Sequence, residues 1–208
     1  MSKAYFTVKE QTENLIVIER SKFICNVKGV EDEEQAKAFV ESIRKQYSLA
    51  NHNCYAYIAD DKGLIQKFSD DGEPQGTAGL PMLEVLKNKK MYKTVAVVTR
   101  FFGGIKLGTG GLTRAYGGSV SECLSKAKIL DMQQSVFYSV ETDYELYSKL
   151  LKFLNNQEVC IINTDFGNLV NVDFVVKIDF TNSFVDKLTD NFNGKLVAKE
   201  TGRGYFAF

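Results

Sequence analysis

Two hydrophobic periods alternate along the chain. Residues 4–10, 14–20 and 22–30 are short β-rich stretches separated by polar breaks, which predicts a meander of three strands. The period then lengthens. Ala36, Phe39, Val40, Ile43 and Tyr47 recur at three- and four-residue steps, so residues 32–47 read as a helix with one apolar face. Glu31 to Glu34 make its start acidic and Arg44 and Lys45 make its end basic, as the helix dipole favours. In the next strand His52, Cys54, Ala56 and Ile58 alternate with Asn53, Tyr55, Tyr57 and Ala59. Residues 60–63 are turn chemistry, and residues 64–68 return as the hairpin partner. The loop SDDGEPQGTAGLP (69–81) holds both prolines, and its mixture of fixed and relaxed φ angles predicts a specific shape. Residues 82–88 are too few to distinguish a short helix from a turn.

The β-branched run 94–98 leads through a glycine loop into a helix whose buried stripe is Leu112, Ala115, Tyr116, Val120, Cys123 and Ala127. Gly117 and Gly118 lie inside that helix, where each costs about 1 kcal/mol relative to Ala. A strand or a ligand is therefore expected to approach the backbone there. From Gln133 the pattern restarts: a strand over 135–142, a helical face of Tyr147, Leu150, Leu151 and Leu154, and a strand over 158–165. An alternating run from Val170 to Phe180 predicts an eleven-residue strand with one wet face, followed by a helical stripe of Phe184, Leu188 and Phe192 and a last strand within 195–206. This βαββαβ order is the ferredoxin-like unit. The reading is an α+β chain of two domains, residues 1–131 and 132–208.

Charge separates the two halves. The 208-residue chain has no net charge, but residues 1–131 carry an excess of three cations and residues 132–208 an excess of three anions. No signal-like or membrane-spanning apolar run is visible, and Cys25, Cys54, Cys123 and Cys160 form no C-x-x-C pair. A cytoplasmic protein with free thiols and no membrane contact is expected. Between Glu84 and Glu122 there is no acid, while Lys87, Lys89, Lys90, Lys93, Arg100, Lys106 and Arg114 supply seven cations. By composition that stretch seeks anions.

Arg100, Lys106 and Arg114 are accordingly candidate phosphate ligands, with the backbone N–H groups of Thr109, Gly110 and Gly111 at a helix start. The loop is neither a Walker A motif, having Thr109 where Lys is required, nor G-x-G-x-x-G. Phe101, Phe102 and Tyr116 offer stacking faces for unpaired bases, although a core position is the favoured reading of each ring. Asp70, Asp71 and Glu73 have the chemistry of a Mg²⁺ site, but Asp-Asp-Gly is first of all a turn. His52 is the only histidine and shares a strand face with Cys54, so neither is read as catalytic. No catalytic residue, metal site or cofactor is assigned.

Four segments together, ERSKFIC (19–25), HNCYAY (52–57), DDGEPQGTAGLP (70–81) and VTRFFGGIKLGTGGLTRAYGG (98–118), closely resemble the YigZ/IMPACT family. The resemblance is strong over residues 1 to about 130, and the acidic second half looks like the additional C-terminal domain of bacterial YigZ-type members. It implies a first domain with the left-handed β-α-β fold of the second domain of a small-subunit ribosomal protein. The second would be ferredoxin-like, similar to the fifth domain of elongation factor G. Eukaryotic members regulate translation initiation partly through an additional N-terminal domain that is not expected in this chain, and bacterial members are linked to nucleic acid or translation without an established reaction. The resemblance carries no catalytic residue. The expected function is a non-enzymatic, translation-associated regulator binding RNA or the ribosome, with a protein partner on the second domain. The alternatives are an enzyme acting on a phosphorylated small molecule or nucleotide, and a regulator that binds protein alone.

Overall fold

The computed structural model describes residues 4–208, leaving Met1, Ser2 and Lys3 of the expected first domain outside the described residues. Its first compact unit, Tyr5–Leu130, contains the strands Tyr5–Val8 (β1), Thr12–Ile18 (β2) and Ser21–Gly29 (β3), then the helix Glu33–Gln46 (α1). His52–Ile58 (β4), Gln66–Ser69 (β5), the helix Gly79–Asn88 (α2), Thr94–Phe101 (β6) and the helix Gly108–Lys126 (α3) follow. The strands β2-β3-β6-β4-β5 form an antiparallel sheet with β6 at its centre.

Every residue of β6 except Phe101 is buried, because helices cover both faces of the sheet. Val95 and Val97 pack with Tyr57 against Ala36, Phe39, Val40 and Ile43 of α1. Ala96 and Val98 face the other way, with Cys25, Cys54 and Ala56, into a core closed by Met82 and Leu86 of α2 and Leu112, Ala115, Tyr116 and Val120 of α3. Asp32 starts α1 by accepting a hydrogen bond from the Gln35 amide at 2.8 Å. The segment left undecided between helix and turn is helix α2. Its cap comes from a distance: Asp70 Oδ1 accepts from the Ala78 and Gly79 amides at 3.0 and 2.9 Å.

The two glycines inside α3 differ. A Cβ on Gly117 would lie 3.7 Å from Val85 and 3.8 Å from the Pro81 carbonyl, so α2 is the element that approaches there. At Gly118 nothing lies within 4 Å of such a Cβ, and the expectation of a close neighbour fails at that position.

The second unit, Asp131–Phe208, contains most of the strand Ile129–Thr142 (β7), the helix Tyr144–Asn155 (α4), Val159–Phe166 (β8), Val170–Lys177 (β9), the helix Thr181–Phe192 (α5) and Lys199–Ala207 (β10). The order β10-β7-β9-β8, antiparallel throughout, is that of a ferredoxin-like sheet. Val136, Tyr138 and Val140 meet Val172, Phe174, Leu150, Leu154, Phe184 and Leu188 in its core. The alternating run from Val170 does not continue as strand to Phe180. It ends at Lys177, and Ile178–Phe180 is a 3₁₀ turn, where the Thr181 hydroxyl donates to the Ile178 carbonyl at 2.7 Å and draws the chain into α5.

Candidate functional site

On the α2/α3 side of the first sheet, apolar cross-strand rows give way at one end to a polar row. Arg100 of β6 stands between Phe23 of β3 and His52 of β4. Over it sits Glu73, delivered by the loop that follows β5. Glu73 Oε1 accepts from Arg100 Nη1 at 2.7 Å and from the Tyr116 hydroxyl of α3 at 2.7 Å, and lies 3.9 Å from His52 Nε2. Arg100, Glu73 and Tyr116 are all buried. The guanidinium also contacts Ser21 Oγ at 3.4 Å and packs 5.3 Å from the centroid of Phe23 and 5.4 Å from that of Phe102. Its Nε is buried without a hydrogen-bond partner among the described residues.

The loop is shaped to hold Glu73 in place. Asp71 and Gly72 both have positive φ, 43° and 85°, and the Glu73 amide donates to the Asp70 carbonyl at 2.9 Å, which is a type I′ turn. Asp70 Oδ2 accepts from the Gly76 amide at 2.8 Å, in addition to the two amides it caps on α2. Asp71 accepts from the Asn53 amide at 2.6 Å and from Arg44 at 3.2 Å. His52 Nδ1 is 2.8 Å from the Asp71 carbonyl, a contact only an N–H can satisfy, so Nε2 is the nitrogen turned toward Glu73. Cys54 Sγ donates to the Asp70 carbonyl at 2.9 Å, and burial pushes its thiol well above the ordinary range. Burial also raises the Tyr116 hydroxyl, with Cys54 the next cause. Both groups are engaged inside the fold, Cys54 with the Asp70 carbonyl and Tyr116 with Glu73.

Three of the seven cations in the acid-free stretch have carboxylate partners among the described residues. Lys93 pairs with Glu31 at 2.8 Å, Lys87 with Glu84 at 3.3 Å and Arg100 with Glu73. Arg100 is thus an internal cation and not an open phosphate ligand. Lys106 and Arg114 are exposed, and neither forms an ion pair among the described residues. They flank the start of α3, which has no side-chain cap and no acid in its first turn. A Cβ on Gly110 would lie 3.7 Å from Arg114 Nη1, so that guanidinium lies along the first turn. Thr109 and Gly110 are exposed there, while the Gly111 amide closes the first helical bond onto Leu107. The four amides at the start of α3 without a partner inside the helix are therefore those of residues 107–110, which include Thr109 and Gly110 of the expected trio but not Gly111.

Sequence pattern gave no notice that Ser21, His52, Glu73, Arg100 and Tyr116 converge. The only trace was that each lies in one of the four segments quoted above. In the second unit, Ser139, Glu141, Asp165, Asn171, Lys195, Lys199 and Thr201 line a broad groove of about 1090 Å³. Its charges are mixed, Glu141 and Asp165 against Lys195 and Lys199.

A helix-covered antiparallel sheet holding a buried Arg–Glu–Tyr network, followed by a ferredoxin-like unit, defines a two-domain α+β protein. The family model described as the Impact N-terminal domain matches residues 19–124, and the model described as Domain of unknown function (DUF1949) matches residues 140–195. The chain belongs to the IMPACT family. It is 44% identical over 200 residues to IMPACT family member YvyE of Bacillus subtilis, covering 96% of this chain and 92% of that one. IMPACT family member YigZ of Escherichia coli is 37% identical over 182 residues, 86% of this chain and 89% of the relative. Protein IMPACT of Oryctolagus cuniculus matches only 94 residues at 34% identity, 43% of this chain and 29% of that protein. A solved structure described as that of a hypothetical protein superposes with a TM-score of 0.61 at 34% identity, over 95% of this chain and 97% of that one.

Proposed function

We propose that this chain is a non-enzymatic, translation-associated regulator that binds RNA, free or on the ribosome, through the Impact N-terminal domain. Family membership suggests the regulatory, translation-associated role. The observation that carries the RNA reading is the pair Lys106 and Arg114, exposed and without ion pairs beside the uncapped start of α3. There the dipole and the unbonded amides of residues 107–110 favour a phosphate. The acids that an enzyme would need for a metal are engaged otherwise: Asp70 and Asp71 accept backbone amides, and Glu73 accepts from Arg100 and Tyr116. A cytoplasmic location and a protein partner on the second domain belong to the same reading.

Titration of a labelled single-stranded RNA, followed by fluorescence anisotropy at several salt concentrations, tests it. Lys106→Glu/Arg114→Glu weakens binding and flattens the plot of log K against log[salt] by about 0.7 for each phosphate no longer neutralised. Unchanged affinity with an unchanged slope overturns the site.

A further inference from the structure

The end of the first sheet carries a second feature, on residues the RNA site above does not use. Arg20, Lys22, Ile24, Phe101 and Phe102 line a cavity of about 330 Å³. Ile24 and Phe101 make an apolar floor, and Leu15 and Val17 of β2, 52% and 60% exposed, extend the same face through their pairing with Ile24 and Lys22. Arg20 and Lys22 are exposed at the rim and form no ion pair among the described residues; Glu19 is the acid beside them in the chain.

Phe102 is 45% exposed yet tightly held. Its amide donates to Asn51 Oδ1 at 2.8 Å, and the Asn51 amide donates to the Arg100 carbonyl at 3.0 Å. The next amide, of Gly103, donates to Ser21 Oγ at 3.1 Å. Gly103 presses so closely on the β2–β3 hairpin that a Cβ there would fall 2.1 Å from the Arg20 carbonyl carbon. The hairpin turn itself places two non-glycine residues, Glu19 and Arg20, at φ of 46° and 65°, a conformation that costs energy and persists only where the surroundings impose it. The buried Arg100 guanidinium, its Nε without a hydrogen-bond partner among the described residues, packs over the Phe102 ring. An exposed aromatic ring, carried on a backbone fixed by these contacts and backed by a cation, is a preformed stacking face.

We infer that this cavity takes an unpaired base of single-stranded RNA, stacked on Phe102, with Arg20 and Lys22 holding the adjoining phosphates. An apolar floor with a cationic rim matches a base joined to its backbone. A bare phosphate would leave the ring unused, and an apolar peptide would leave both cations uncompensated. The inference rests on the RNA reading above and adds that the ligand is single-stranded.

The test uses the full-length protein, with anisotropy on a short single-stranded RNA, the same RNA as a duplex, and inorganic polyphosphate as competitor. Phe102→Leu weakens single-strand binding by about 5- to 100-fold, the span expected when one base is deprived of its aromatic platform. Phe102→Tyr retains that binding, and duplex and polyphosphate affinities stay at wild-type values. Undiminished single-strand binding by Phe102→Leu, while Lys106→Glu/Arg114→Glu loses it, overturns the stacking pocket and leaves the RNA reading standing. An equal loss against all three anions also overturns the pocket. Wild-type protein that binds none of them overturns both readings, and an apolar protein segment becomes the occupant to pursue.

Discussion

Arg100 shows what a single residue's setting does to its chemistry. In sequence it is one of seven cations in an acid-free run; in the fold it is 5% exposed and bonded to Glu73. Removing one partner of a buried pair strands the other charge, which costs about 3–5 kcal/mol. Glu73→Ala should lose stability of that order in urea denaturation, and Glu73→Met combined with Arg100→Met should lose less than Glu73→Ala alone. A second residue-scale prediction concerns pH. Tyr57 donates to Glu33 Oε1 at 2.7 Å, and that bond, ahead of Lys37, holds the Glu33 carboxyl below the ordinary range. A carboxyl whose folded value is depressed contributes stability above its unfolded value and loses it as pH falls through the folded one. The stability difference between wild type and Tyr57→Phe should therefore be largest at neutral pH and shrink in acid, as urea midpoints at the two pH values would show.

Elements differ in how much of themselves they reveal locally. Asp32, the acidic first turn and the apolar stripe of α1 lie within one stretch, so that helix was legible from its own residues. Helix α2 was not, because its cap is an aspartate eight and nine residues upstream, brought there by a type I′ turn. Glycines behave the same way. Nothing in sequence distinguishes Gly118, which faces open space, from Gly103, which touches the Arg20 backbone. Gly118→Ala should raise stability by up to about 1 kcal/mol, the helix-propensity difference. Gly103→Ala should lower it by at least about 1–3 kcal/mol, because the β2–β3 hairpin must move. Thermal melts of the two variants displaced in the same direction would contradict that contrast.

Across the whole molecule, each family model covers its own packing: the first unit has a core on each face of β6, and the second unit has one around β9. Leu150 is fully buried in the second, and Leu150→Ala should cost about 2–5 kcal/mol there. Hydrogen exchange should report the loss in the amides of β7 and β9, while those of β6 keep their wild-type protection. What the amino-acid order determined by itself was the family and the succession of strands and helices apart from α2, since hydrophobic period, motifs and local caps such as that of α1 are written in neighbouring residues. Only the tertiary structure decided which charges stay open. Glu73 lies 27 residues from Arg100 and Glu31 lies 62 from Lys93, and each reaches its cation through folding. Lys106 and Arg114 are left facing solvent with no carboxylate among the described residues folded against them, and that is a property of how distant segments meet rather than of composition.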